Sequence, residues 1–230
     1  MLEEYHCKMR DAKCILARIY GVFTIELADK GISHVMLQRN MNDLFCDSNI
    51  LTFDLKGSTE DRQIIKKENI KLPQSELIKI YKNVTLKDND LKIIGIKLEL
   101  NHFDAETILN SIYNDSMYLQ KYDITDYSLL VFVNKYNKKN LEKRVGNINI
   151  ISEVNKKYIF NFSIIDFLGT FDLGKKSEKV MKEIIYVFRS SNNKNFSVQN
   201  PQNYGARFRK NAKKIIIYEK EENDNDNFSS

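Results

Sequence analysis

The sequence predicts an α+β fold, and three features carry that expectation. Apolar runs rich in β-branched and aromatic residues fall at 15–27, 33–38, 50–55, 127–133 and 158–165 and read as strands. Residues 104–122, and the segment opened by Asn200-Pro201, carry apolar side chains at three- and four-residue steps and read as helices. Strands and helices follow one another without regular alternation or internal repeat, which is the pattern of α+β proteins.

Taken in order, residues 1–11 read as the end of a helix, with a polar bend at Asp11-Ala12-Lys13. Ile15–Leu27 reads as a strand, Asp29-Lys30-Gly31 as a turn, and Ser33–Gln38 as the returning strand of a hairpin. Arg39–Asn49 is a polar loop, and Ile50–Leu55 is a third strand that ends at Lys56-Gly57-Ser58-Thr59. Residues 60–101 are charged and mixed and define no element. Asp104 is a suitable N-cap for helix 104–122, in which Ile108, Leu109, Ile112, Ser116 and Leu119 share one face. Tyr127–Val133 is a buried strand. The Asn- and Lys-rich stretch 134–157 reads as a flexible insert, and Tyr158–Ile165 as a further apolar strand stopped by Asp166. Val180, Ile184, Val187 and Phe188 lie at helical spacing among lysines. Asn200 suits an N-cap and Pro201 the first helical position, with Tyr204, Phe208, Ala212 and Ile215 along one side. The acidic tail 219–230 is expected to be disordered, which leaves 1–218 as the domain.

Composition excludes several classes. The 230 residues suffice for one large domain or two small ones. With 42% hydrophobic residues the chain can build a core, and 8 Gly with 2 Pro exclude collagen-like and Pro-rich architectures. No apolar run approaches the roughly 20 residues of a membrane-spanning helix. The charged N-terminus shows no secretory signal. Cys7, Cys14 and Cys46 lack metal-ligand spacing and read as reduced thiols of an intracellular protein. The net charge of +5 is compatible with phosphates, nucleic acid or an anionic membrane, and nucleic-acid binding would rest on that basicity alone.

Four places carry candidate chemistry. Asp54 and Lys56 share a strand face, Gly57 lets the chain turn, and Ser58, Thr59 and Arg62 follow, which suits phosphate handling. A solvated turn accounts for the same residues. The eight-residue P-loop pattern is not present. Asp126 precedes one apolar strand and Asp166 follows another. Such a pair can supply a base for a hydroxyl proton and a ligand for Mg²⁺, although each can equally cap a turn. The basic run Lys175, Lys176, Lys179, Lys182 fits either an anionic lipid surface or a solvated helix face. His6, His34 and His102 have no neighbour at zinc-site spacing.

In combination, DLKGST (54–59), DYSLLV (126–131), IID (164–166), KKSE (175–178) and NPQNYGARF (200–208) resemble, in that order, the catalytic domain of the phosphatidylinositol phosphate kinases. CILARIYGVFTIEL, VMLQRNM and VTLKDND add support, and the resemblance runs from about residue 1 to residue 217. It implies the carboxyl-terminal part of that domain, an antiparallel sheet with packed helices, with the amino-terminal ATP-clamping lobe largely missing. It also implies transfer of the ATP γ-phosphoryl group to an inositol-ring hydroxyl of a membrane phosphoinositide, with Mg²⁺, by a cytoplasmic protein peripheral to the cytosolic face of a membrane.

The roles carry over by matching motifs. Asp126 matches the catalytic base, and Asp166 the Mg²⁺ ligand. Gln38, Arg39, Asn40 and Met41 match the hinge that holds the purine. Lys56 and Arg62 match groups that meet head-group phosphates, and Asp54 contributes electrostatics. Lys175 and Lys176 match membrane-contacting lysines in an activation loop at about 167–199, where Glu178 bears on substrate choice. Glu178 resembles the 5-kinases, whereas TLKDND and NPQNY lean toward the type II or 3-phosphate groups; Glu178 is weighted most.

Departures from the family pattern are Asn42 where the hinge has an aromatic, Thr125 for methionine, Phe132 for glycine and Asn134 for histidine. Gly21 and Gly31 stand isolated, so residues 1–53 contain no glycine-rich loop. The alternative function is a non-catalytic, truncated kinase-like module that binds anionic phosphoinositide membranes or a partner protein. The sequence leaves open whether the chain works as a dimer or with a partner chain.

Overall fold

The computed structural model describes residues 2–28, 31–40, 49–136, 149–151, 157–168 and 200–218. The expected activation loop beyond Leu168, the acidic tail, Met41, Asn42, Cys46, and Lys175, Lys176 and Glu178 lie outside the described residues, as does most of the expected insert.

The centre is a five-stranded sheet formed by β3 (Asn49–Leu55), β4 (Thr85–Leu86), β6 (Ser128–Lys135), β7 (Asn149–Ile151) and β8 (Tyr158–Ile165), in the order β4-β3-β6-β8-β7. Among the described residues, β3 pairs with β4 in parallel and the other neighbours are antiparallel. The α+β expectation holds. β3 alternates as a half-buried strand should. Leu51, Phe53 and Leu55 point into the core, while Thr52 and Asp54 are only partly covered. β6 and β8, the inner strands, are apolar nearly throughout and buried along most of their length.

Helices close the apolar face. α4 (His102–Lys121) buries Ile108, Ile112, Ser116 and Leu119 of the predicted face, with Leu109 only partly covered and Ala105 buried in addition, and packs against α5 (Pro201–Ile215). The cap of α4 differs from the expectation. Asn101 is the N-cap, accepting from the Asp104 N–H at 2.8 Å, and Asp104 accepts in return from the Asn101 amide at 2.7 Å. Both residues are short polar acceptors, so the sequence alone does not separate a cap from the third helical position. α5 starts as expected: the Asn200 side chain accepts from the Asn203 N–H, and Pro201 opens the helix. The uncalled region 60–101 contains α2 (Gln74–Tyr81), α3 (Asp88–Ile94) and β5 (Leu98–Glu99), which pairs with β9 (Ile216–Ile217).

The expected insert begins later than residue 134. Asn134 is fully buried inside β6, and its amide donates to the Asn161 side chain at 3.2 Å across the sheet. Residues 149–151 are a strand, β7. A polar composition at 134 reads as loop, but within the ladder the Asn134 amide N–H finds an acceptor in the Asn161 side chain.

The amino-terminal segment is tied to this core by polar contacts. α1 (Leu2–Lys8) supplies Tyr5, whose hydroxyl donates to the Ala17 carbonyl at 3.1 Å and accepts from the Ile19 N–H at 2.8 Å. The Ala17 N–H donates to the Ile164 carbonyl at 2.8 Å, so residues 15–17 lie along the edge of β8. Asp115, 1% exposed on α4, accepts from the Ile15 N–H at 2.7 Å and pairs with Lys8 at 2.7 Å. The chain then runs into a separate hairpin of β1 (Ile19–Leu27) and β2 (Gly31–Gln38), antiparallel from Ile19↔Gln38 to Leu27↔Gly31 with a register shift between Ile19 and Gly21. Tyr20, Val22, Phe23, Ile25, Ile32, Val35 and Leu37 are exposed on it.

Burial pushes the Asp115 carboxyl above its ordinary value, against the pull of Lys8. The folded protein therefore holds that proton more tightly than the unfolded chain. The penalty is absent below the unfolded value and grows as pH rises toward the folded one. Lys8→Met removes the pull and is expected to cost about 3–5 kcal/mol at neutral pH. The loss should shrink as pH falls toward roughly 4, and Lys8→Met/Asp115→Asn should recover most of it. Urea unfolding across that pH range measures both effects.

Candidate active site

The site is assembled at one end of the central sheet. β6 and β8 pair from Ser128↔Ile165 to Lys135↔Tyr158, so Asp126, just before β6, and Asp166, just after β8, emerge at the same edge. β3 joins with Asp54↔Leu130 and Leu55↔Leu129, which brings Lys56 to that edge as well. The Lys56 ammonium lies 2.7 Å from Asp126 Oδ1, with the lysine side chain 15% exposed and the aspartate 67%. Four residues read from three separate motifs, Asp54 and Lys56, Asp126, and Asp166, thus converge.

Both acids sit on unusual backbone. Asp126 has φ 66° and Asp166 has φ 62°, in the left-handed region that L-residues enter at a cost of about 1–2 kcal/mol. Aspartate tolerates this better than most side chains. The conformation turns each carboxylate away from the strand line.

Burial raises the affinity of Asp166 for a proton, and the charges of Asp54 and Asp126 add to that effect against the attraction of Lys56. Mutual repulsion of this kind marks a place where added positive charge is favourable. Mg²⁺ commonly takes only one or two protein carboxylates and completes its shell with water and phosphate oxygens. Asp166 has the donor chemistry for that role. Among the described residues no three His, Cys, Asp or Glu side chains form a metal-holding group by themselves.

The turn that presents Lys56 is held by Arg62 together with two acids the sequence did not single out, Asp88 and Asp90. Asp88, at the start of α3, accepts from the Gly57 N–H at 2.8 Å and the Lys56 N–H at 3.2 Å. Arg62 Nε donates to Asp88 at 2.9 Å, and its Nη2 donates to the Asp54 carboxylate at 3.0 Å and the Asp54 carbonyl at 2.5 Å. Arg62 therefore braces the turn from inside. Asp90, fully buried, accepts from the Ile64, Ile65 and Lys87 N–H groups. Gly57 is required twice over: φ is +72°, and a Cβ there would come within 2.9 Å of Asn211 Cβ on α5. The acidic run Asp88-Asn89-Asp90 was the available signal, but clamping of a turn 31 residues upstream has no local signature.

A second brace is aromatic. The Tyr204 hydroxyl donates to the Tyr127 carbonyl. Tyr127 packs edge-on against Tyr204 at 4.8 Å and Phe208 at 4.9 Å. The residue after Asp126 is thereby locked onto α5.

A model of the family described as phosphatidylinositol-4-phosphate 5-kinase matches residues 1–153 and 136–215. The chain belongs to the phosphatidylinositol phosphate kinase family. Among curated relatives, this family member is 25% identical over 214 residues to a 1-phosphatidylinositol 3-phosphate 5-kinase of Saccharomyces cerevisiae, covering 90% of this chain and 8% of the yeast protein. It is 24% identical over 258 residues to the phosphatidylinositol 4-phosphate 5-kinase type-1 beta of Gallus gallus, covering 91% of this chain and 44% of the relative. It is 30% identical over 135 residues to phosphatidylinositol 4-phosphate 5-kinase 7 of Arabidopsis thaliana, covering 57% and 16%. The chain spans less than half the length of each of these phosphatidylinositol phosphate kinases.

Gln38, Arg39 and Asn40, three of the four residues expected to form a hinge, lie at the root of the β1–β2 hairpin. Gln38 pairs with Ile19, and the Arg39 N–H donates to the Arg18 carbonyl at 2.8 Å. Asn40 follows, and Met41 lies outside the described residues. The parallel bridge Leu16↔Ile164 directs the chain toward this root from the end of β8 that carries Asp166.

Asp88→Ala removes the acceptor for two backbone N–H groups and leaves Arg62 short of a partner. It is expected to cost about 3–5 kcal/mol by urea unfolding. Asp88→Asn, which keeps one acceptor oxygen, should cost less. Gly57→Ala should cost about 1–3 kcal/mol from backbone strain, with added cost from the Asn211 contact.

Proposed function

We propose that this chain carries the substrate-side half of a phosphoinositide kinase of the 5-kinase type. The observation that supports it most is the 2.7 Å pair of Lys56 with Asp126 at a sheet end shared with Asp54 and Asp166. In this reading Asp126 takes the proton from an inositol-ring hydroxyl. The hydroxyl oxygen bonds to the γ-phosphorus of ATP as the bond to the β–γ bridging oxygen breaks. Lys56 orients the Asp126 carboxylate and offers positive charge to the head-group phosphates. Arg62 holds the Lys56 turn rigid and adds its charge beside Asp54. Phosphoryl transfer relies on such positioning and charge more than on covalent chemistry.

Asp166 is the residue proposed to hold Mg²⁺, which when bound neutralises charge on the phosphate oxygens. Gln38, Arg39, Asn40 and Met41 are proposed to line the purine site through backbone groups. Lys175 and Lys176 are proposed to meet anionic lipid and Glu178 to bear on ring-position choice, in a protein acting at the cytosolic face of a membrane.

A second reading is a non-catalytic module that binds phosphoinositide membranes. It is favoured by one sequence fact: residues 1–53 contain no glycine-rich loop of the kind that orients ATP phosphates.

The two readings separate in one set of measurements. The kinase reading expects Mg²⁺-dependent ATP binding and lipid phosphorylation by the purified chain. Asp126→Asn should reduce phosphorylation by about 100-fold or more while leaving vesicle binding intact. Vesicle binding that weakens with salt and ignores ATP would sink the kinase reading for this chain and leave the binding module.

A further inference from the structure

A cavity of about 560 Å³ opens behind the turn that carries Lys56, between α3 and α5. One wall is Gly57, Ser58 and Thr59; the others include Leu91 and Lys92 of α3, and Arg207, Lys210 and Lys214 of α5. Lys56, Asp126 and Asp166 do not line it. The space is therefore separate from the acid cluster described above, although it shares the 57–59 backbone with it.

Its charge is one-sided. Lys92, Arg207, Lys210 and Lys214 face a single lining carboxylate, Asp88, which already accepts from Arg62, Lys56 and Gly57. Arg207 lies over the Tyr204 ring at 5.0 Å, which fixes the guanidinium against α5. Lys92, Lys210 and Lys214 are exposed and can reach inward without losing a buried role. Leu55, Leu91 and Ile215 supply an apolar floor. Residues 207, 210 and 214 follow one helix face at three- and four-residue steps, spread along about 10 Å of axis. That span exceeds one phosphate, so the wall suits several phosphates held apart by a scaffold. The volume is that of a small-molecule site and is too small for a macromolecular groove.

We propose that this cavity is a second anion site, which takes a compact ligand bearing two or more phosphate groups, free or as a lipid head group. Phosphates would meet Lys92, Lys210 and Lys214 at the rim and Arg207 on the α5 wall, with Ser58 and Thr59 across from them. An occupant would also rest on the Gly57 backbone and so bear on the segment that presents Lys56.

The test is binding to the full chain, not phosphoryl transfer, so it stands apart from the kinase reading. One arm titrates myo-inositol 1,4,5-trisphosphate by calorimetry. The other sediments the chain with phosphatidylcholine vesicles with and without phosphatidylinositol 4-phosphate. Saturable trisphosphate binding assigns the site to soluble phosphates, and binding in the vesicle arm alone assigns it to a head group. In either case Lys210→Ala/Lys214→Ala is expected to raise Kd about tenfold or more, with the unliganded melting temperature unchanged. Lys92→Ala, on the opposite wall, should also raise it, while Lys97→Ala, at an exposed lysine that does not line the cavity, should leave it within about twofold. No binding in either arm overturns the proposal. So does a Kd that is unchanged in the Lys210/Lys214 variant, or one that rises as much in the Lys97 variant.

Discussion

The antiparallel register of β6 and β8 is the constraint on which the rest of this structure depends. With Ser128 opposite Ile165, the residues just outside the two strands are forced to the same edge of the sheet. A one-residue slip would move the apolar side chains of either strand to the wrong face. The core enforces the register through Leu129, Val131, Val133, Phe160, Phe162 and Ile164, all buried. Two aspartates separated by 40 positions in sequence thus meet because an apolar ladder between them can pair in only one way.

Around that ladder the polar work falls to a few carboxylates, and they divide into two kinds. Asp88, Asp90 and Asp115 are buried and used as acceptors for backbone N–H groups of distant segments. They stabilise loops that have no ladder of their own. Asp126 and Asp166 are exposed and held at the rim on strained backbone. The first kind fixes where the second kind stands: Asp88 shapes the turn that points Lys56 at Asp126, and Asp115 docks residues 15–17 beside the strand that ends at Asp166.

Much of this was legible in the sequence where the signal is local. Tyr158–Ile165 is a strand with the bounds its composition suggests, and Asn200-Pro201 opens a helix because cap and first-turn preferences act within four residues. Asp54, Lys56, Asp126 and Asp166 were legible as a group through motif resemblance, since period-two geometry links only Asp54 with Lys56. What was not legible depends on long-range partners. Asn134 looked like loop because its partner, Asn161, lies 27 residues away. Asp88 carried no sign of the Gly57 turn, and Asn101 and Asp104 were interchangeable as caps until the helix start was known. Region 60–101 remained unread because its elements are short and take their stability from contact with β3 and β9.

The left-handed backbone at Asp126 and Asp166 also limits how the site can drift. At φ near +60° the tolerated residues are few: glycine, asparagine and aspartate. Random substitution at either position therefore has two separate filters, one on chemistry and one on conformation, and glutamate fails the second even though it retains a carboxylate. The substitutions that pass the conformational filter without disturbing the fold, asparagine and glycine, are the ones that remove the acid. A lineage that ceased to need the carboxylates could lose them silently, keeping an intact sheet edge and an unchanged outline. In this architecture, the shape of the site and its chemistry can be inherited independently.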